Sequence, residues 1–167
     1  FTGGFFTFGY SIYSGRVFML LVHVLSTFFL YDIGKRLTKQ PWAGVFASLI
    51  FSLSPLAVYF QRRVLLDNMM ILWILFSFWL LLPKRLTLVR IIFSALCFGI
   101  AVLTKENAVF FAPVLFYAIV RFAHPHHKSF AISLWAIIAF FVVSLYLLFA
   151  FYNNELLPAT AGQPPHV

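Results

Sequence analysis

Arg62, Arg63 and Asp67 fall within the stretch "YFQRRVLLDNMM", and most of the surrounding sequence is hydrocarbon. Arginine suits phosphate chemistry, because its planar guanidinium donates two parallel hydrogen bonds to an oxyanion. An ionisable group at membrane depth is costly and tends to face a cavity, so this trio could bind an anion while Asp67 orients a partner. A plainer reading stands beside it. If a helix begins near Leu65, Asp67 lies in its first turn, where the helix dipole favours a carboxylate, and the arginines reach out to headgroups.

A second charged point is "LTKEN", which joins two apolar runs through Thr104 to Asn107 with almost no loop. Lys105 could be a second cation for the same anion, with Glu106 as its counter-ion or as an acid at a helix start. Alternatively the pair is the polar minimum of a helical hairpin. The histidines of "HPHHK", His124, His126 and His127, are split by Pro125 and joined by no acid or cysteine, so headgroup contact is expected of them rather than metal binding. His23, alone in an apolar segment, is expected to hydrogen-bond a neighbouring helix. Cys97, within "ALCFGIA", is expected to behave as a small buried hydrophobe. The sequence contains no GxxxxGK[ST], HExxH, GxSxG or paired Cys-x-x-Cys motif, so soluble-type nucleotide chemistry is not indicated.

The elements that must position these residues are membrane helices. Hydrophobic residues make up 63% of the 167 and charged ones 10%, against the roughly 25% charged of a soluble domain. Six apolar segments are expected, at about residues 17–31, 43–60, 68–82, 90–104, 107–123 and 130–152. They are continuously apolar rather than alternating, which predicts an all-α polytopic bundle of about six spanning helices and not a β-barrel. Pro41, Pro55 and Pro83 fall near segment ends, whereas Pro113 lies inside the fifth and predicts a kink or local unwinding.

The formal charge of +8 reads as topology rather than as a nucleic-acid footprint. Alternate connections gather Lys35, Arg36, Lys39, Lys84, Arg85, Arg90, Arg121 and Lys128 on one side with Asp32, which the positive-inside rule makes cytoplasmic. Arg16, Arg62, Arg63, Asp67, Lys105, Glu106 and Glu155 fall on the other side. Residues 1–16, aromatic and Gly-rich, read as an interfacial or outer-loop segment, 17–152 as the transmembrane core and 153–167 as a truncated extracytoplasmic loop. The opening "FTGGFFTFGYSIYSGR" has no features of a signal peptide, and the chain is expected to be a piece of a longer polytopic protein.

Three stretches in order carry a resemblance: the "GR" opening a helix that ends in "YDIGKRL", the "SP" followed by "YFQRRVLLD", and the "GIAVLTKE" before an apolar run. Over roughly residues 8–120 the chain resembles the membrane core of the dolichyl-phosphate-mannose protein mannosyltransferase-like glycosyltransferases, a group that includes aminoarabinose transferases acting on lipid A. The resemblance implies a C-type glycosyltransferase fold and an active site on the non-cytoplasmic face. It also implies a polyprenyl-phosphate sugar as donor, a protein, lipid or glycan hydroxyl as acceptor, and inverting displacement at the anomeric carbon. By this analogy Arg62, Arg63 and Lys105 hold the donor phosphate, Asp67 supports the catalytic network, and Glu106 and Arg16 have supporting roles. The family's principal acid lies in a first outer loop ahead of these helices. Nothing before Arg16 is acidic, so the catalytic base is expected outside this chain and the fragment alone is expected to be inactive.

A divalent metal is neither required nor ruled out, since no complete ligand set is evident. A bacterial or archaeal plasma membrane is favoured over the endoplasmic reticulum, and no nucleic-acid partner is expected. The competing readings are a polytopic transporter or lipid flippase, with Arg62, Asp67 and Lys105 lining its path, and a scaffold subunit. Charges clustered at one rim, rather than at the bilayer midplane, fit headgroup chemistry better than carriage.

Overall fold

A computed structural model describes residues 12–55, 66–83, 86–123 and 127–152, and the regular structure among them is entirely helical. The first helix, α1 (Ile12–Thr38), has 27 residues, about 40 Å at 1.5 Å per residue, enough to cross the roughly 30 Å hydrocarbon core. It outruns the apolar stretch on both sides. Lys35 and Arg36 occupy its last turn, where cations complement the helix dipole, so most of the expected first basic loop is helix. The remaining connection is Lys39, in the left-handed region at φ 59°, and Gln40 in extended conformation. Pro41 then opens α2 (Pro41–Leu53) in its first turn, where its missing N–H costs nothing.

Three further helices and a short 3₁₀ segment follow: α3 (Leu66–Leu81), α4 (Leu88–Thr104), the 3₁₀ segment Glu106–Phe111 and α5 (Ala112–Phe122). Pro113 sits in the first turn of α5, directly after the 3₁₀ residues. The unwinding expected at Pro113 is therefore displaced to its N-terminal side, where a proline ring obstructs the preceding turn. The last helix is α6 (Lys128–Tyr152). Among the described residues the six helices match the expected segments in order.

Residues Gly15–Thr38 of α1 and the whole of α6 are long and apolar enough to cross a membrane, and α2, α3 and α4 are shorter apolar helices. Phe140, Phe141, Leu148 and Phe149 of α6 are all exposed, an apolar surface too extensive for a soluble monomer. The molecule is a helical membrane bundle.

Within it α3 packs on α4, α4 on α6, α1 on both α2 and α3, and α5 on α3 and α6. Small residues set the close contacts. A Cβ on Gly44 would lie 2.4 Å from the Tyr31 carbonyl oxygen, so α1 and α2 meet backbone to backbone, and a Cβ on Gly99 would lie 2.7 Å from Val142 of α6. Ala95, Ala118, Ala131 and Ala139 leave room for Trp135, which is 1% exposed and touches Phe98 at 4.9 Å and Phe116 at 5.1 Å between ring centres. Cys97 is buried in the same helix as Phe98, as expected.

Two polar clusters tie the helices together. In the core, the Ser77 hydroxyl lies 2.9 Å from both the carbonyl oxygen and the hydroxyl of Ser94, and Trp135 Nε1 donates to Ser94 Oγ at 3.1 Å. Ser94 thus joins α3, α4 and α6. Near the end of α1, Asp32 accepts from Trp79 Nε1 of α3 at 2.5 Å and from Arg36 Nε at 2.7 Å. The Arg36 guanidinium carbon lies 5.0 Å from the centre of a Trp79 ring, within cation–π range. Lys39 and the helix ends that carry Arg90 of α4, Arg121 of α5 and Lys128 of α6 are at this same end, called the basic end below.

Gly44→Ala is expected to destabilise the bundle by about 1–3 kcal/mol, because the added carbon meets backbone that cannot rotate away. An unshifted midpoint of denaturant-induced unfolding in micelles would contradict that packing. Trp135→Phe keeps the ring contacts and removes one donor, and should cost roughly 0.6–2 kcal/mol in the same assay. A cost no greater than that of an exposed-site control such as Phe140→Leu would show that the Ser94 junction adds nothing.

Candidate functional site

At the end opposite the basic cluster the structure brings Asp67 and Lys105 together, although 38 residues separate them. The packing beneath explains why. Met70 and Ile74 lie three and seven residues after Asp67, on the same face of α3. They are buried against Ala101 of α4 and Ala108 of the 3₁₀ segment. Ala101 and Ala108 are fully buried, so the turn between them sits tightly against α3.

Lys105 is the hinge of that turn. Its N–H closes α4 on the Ala101 carbonyl at 3.0 Å, its backbone is extended at φ −159° and ψ 128°, and its own carbonyl accepts from Ala108 N–H at 3.0 Å. The chain reverses with no intervening loop. Lys105 Nζ is thereby directed to Asp67 Oδ1 in a close ion pair, with side-chain exposures of 38% and 29%. Asp67 occupies the first turn of α3, as the helix-start reading expects, and it also pairs with Lys105.

The other expected site residues are placed less closely. Glu106 opens the 3₁₀ segment, is exposed, and is not the counter-ion of Lys105. Arg16 is exposed near the start of α1, at the same end of the bundle. Arg62 and Arg63 lie outside the described residues, as do His124 and His126, while His127 is exposed just before α6. Among the described residues no three His, Cys, Asp or Glu side chains gather into a metal-ligand set.

Sequence reasoning did not foresee two features of this end. An open groove of about 620 Å³ runs between the Lys105 turn and α6, lined by Val102 to Asn107 and by Val143, Tyr146 and Leu147. It lies between α4 and α6, which are in close contact at Gly99 and Val142. His23 was also expected to bond a neighbouring helix. Its Nε2 instead lies 3.5 Å from Thr27 Oγ1 of its own helix, and its contact with α2 is a stack on Phe51 at 5.4 Å. His23 and Phe51 share a small pocket with Ser26 and Asn68, and the Asn68 amide points at Met19 Sδ at 3.9 Å.

The comparisons with known proteins bear on this geometry. The family described as dolichyl-phosphate-mannose-protein mannosyltransferase matches residues 2–149, most of the chain and all but the end of the bundle. Searches of curated proteins and of solved structures return no match. The matched span contains both members of the Asp67–Lys105 pair and the helices that hold them. It extends the resemblance carried by "YDIGKRL", "YFQRRVLLD" and "LTKE" across the whole helical core, and the chain belongs to the dolichyl-phosphate-mannose-protein mannosyltransferase family of C-type membrane glycosyltransferases.

Proposed function

We propose that the Asp67–Lys105 end of the bundle is the donor-phosphate side of a membrane glycosyltransferase site that takes its sugar from a polyprenyl phosphate. The observation that supports this most is the ion pair itself, one lysine held at the membrane rim by a turn with no slack. Lys105 is the point charge for the phosphodiester, and Arg62 and Arg63, which precede α3 in the sequence, supply the directional donors. Asp67 holds the ammonium in place. Arg16 and Glu106, exposed at the same end, have supporting roles.

In the proposed reaction the acceptor hydroxyl oxygen attacks the anomeric carbon from the face opposite the phosphate. The carbon–oxygen bond to phosphate breaks with its electron pair leaving on the phosphate oxygen, and a carboxylate takes the hydroxyl proton. The configuration inverts. Negative charge grows on the departing lipid phosphate, so cations fixed beforehand at that position lower the barrier more than they strengthen ground-state binding. The proton-accepting carboxylate is assigned to the outer loop that the family resemblance places ahead of α1. The basic end faces the cytoplasm, by the positive-inside rule, and the chemistry takes place on the other face of a bacterial or archaeal plasma membrane.

The test is transfer from radiolabelled polyprenyl-phosphate sugars in membranes containing the full-length protein. Lys105→Ala and Arg63→Ala are each expected to lower turnover by about 100-fold or more while leaving insertion intact. Wild-type turnover in either would remove that residue from the phosphate site. Asp67→Asn preserves size and removes charge, and should lower kcat by about 10-fold or more, since Lys105 loses the group that positions it. Full activity in that variant would reduce Asp67 to a helix-start residue. Lipid flipping with no transfer from any donor would replace the enzyme reading with the transporter.

A further inference from the structure

The basic end holds another cavity, of about 270 Å³, where the start of α4, the end of α5 and the start of α6 converge. Ile91, Ala123 and Ala131 are buried along it, while Leu88 and Phe130 are exposed beside them. His127 is the one polar side chain among the described residues that line it. A cleft with so little polar lining offers no hydrogen-bond partners to a sugar or a nucleotide, and in a bilayer it takes hydrocarbon.

Each wall of the cleft also carries a cation. Arg90 precedes Ile91, Arg121 stands two residues before Ala123, and Lys128 follows His127. All three occupy the first or last turn of their helices, the height at which hydrocarbon gives way to headgroups. Among the described residues none of them pairs with a carboxylate, and the single acid at this end, Asp32, is engaged by Trp79 and Arg36. The first turns of α4 and α6 hold no acid either, although the dipole of each helix would favour one. The positive-inside rule accounts for the side on which these cations lie, and not for their gathering round one apolar cleft.

We infer that this cleft binds an anionic phospholipid from the leaflet at the basic end, with a stretch of one acyl chain against Ile91, Ala123 and Ala131 and the phosphate at Arg90, Arg121 and Lys128. Basic pockets between membrane helices hold anionic headgroups by this combination of apolar walls and cations. One lipid then neutralises charge on three helices and closes the opening between them. The site lies at the membrane surface opposite the Asp67–Lys105 pair, and the inference does not depend on sugar transfer there.

The test uses the full-length protein in phosphatidylcholine vesicles containing a minor fraction of phosphatidylglycerol. The probe is a phosphatidylglycerol with a diazirine in one acyl chain close to the glycerol, and labelled residues are mapped by peptide mass spectrometry after photolysis. Labelling is expected on residues 86–91 and 127–131, competed by unlabelled phosphatidylglycerol. Equal competition by phosphatidylcholine would make the cleft an ordinary lipid contact, competition by inorganic phosphate would make it a site for a soluble anion, and an unlabelled cleft would mean that protein fills it. Each of these outcomes overturns the inference.

Variants separate the site from the general charge of the surface. Arg90→Gln combined with Lys128→Gln is expected to lower the preference for phosphatidylglycerol over phosphatidylcholine by about 10-fold or more, whereas Lys35→Gln combined with Lys39→Gln, at the end of α1, leaves it unchanged. Equal losses in the two pairs would assign the attraction to the whole surface and not to the cleft. Leu88→Trp narrows the exposed mouth and should reduce labelling of Phe130 and Ala131 in protein that still elutes from micelles as one folded species. Unchanged labelling in that variant would take the acyl chain out of the cleft.

Discussion

In hydrocarbon, an apolar helix face gains little by leaving lipid for another helix, so association depends on close approach and on a few polar bonds that lipid cannot supply. The bundle meets this constraint in two ways. Glycine and alanine bring backbones together where α1 meets α2 and where α4 meets α6, and Ser94 gathers bonds from α3 and α6 onto α4. Both depend on small side chains at particular depths. The large aromatic residues face outward or fill the space that the small ones leave, as Trp135 does among Ala95, Ala131 and Ala139.

The rim follows from the same packing. Asp67 and Lys105 pair because Met70 and Ile74 fit against Ala101 and Ala108, an apolar contact that places two charged groups without any polar scaffold of its own. The groove likewise lies between α4 and α6, which meet closely at Gly99 and Val142. A partly exposed ion pair contributes little to stability, so holding Asp67 and Lys105 together is the business of the packing beneath them. In the proposed phosphate role their value lies in geometry, since a lysine with a fixed address needs little reorganisation when a phosphate arrives.

The sequence was informative about order and class, and poor about pairing. Continuous apolar runs announced six helices, Pro41 marked a segment end, and the charges separated onto two sides, whereas Pro113, expected as a kink inside the fifth segment, lies in the first turn of α5. The end of α1 was misplaced because Lys35 and Arg36 look like loop residues, although a helix end welcomes cations. That Asp32 would reach Trp79, 47 residues away, could not be read from a linear pattern, because both residues look ordinary until α1 and α3 are placed side by side. The Asp67–Lys105 pair was not read from the sequence, which placed both residues on the same side but offered Glu106 as the counter-ion of Lys105. His23 misled for the opposite reason. A threonine one turn away offers the His23 Nε2 a partner within its own helix, and the His23 Nδ1 is buried without a hydrogen bond among the described residues.

α1 meets α3 differently along its length. At the basic end Trp79 donates a hydrogen bond to Asp32 with Arg36 over its ring, further along Phe29 lies on Phe76 at 5.0 Å, and beyond that the Asn68 amide lies 3.9 Å from Met19 Sδ. At the basic end the two helices part only by leaving a carboxylate and an indole N–H without each other in a medium that offers no replacement partner. That junction acts as a latch on the pair, one that hydrocarbon cannot open by competition.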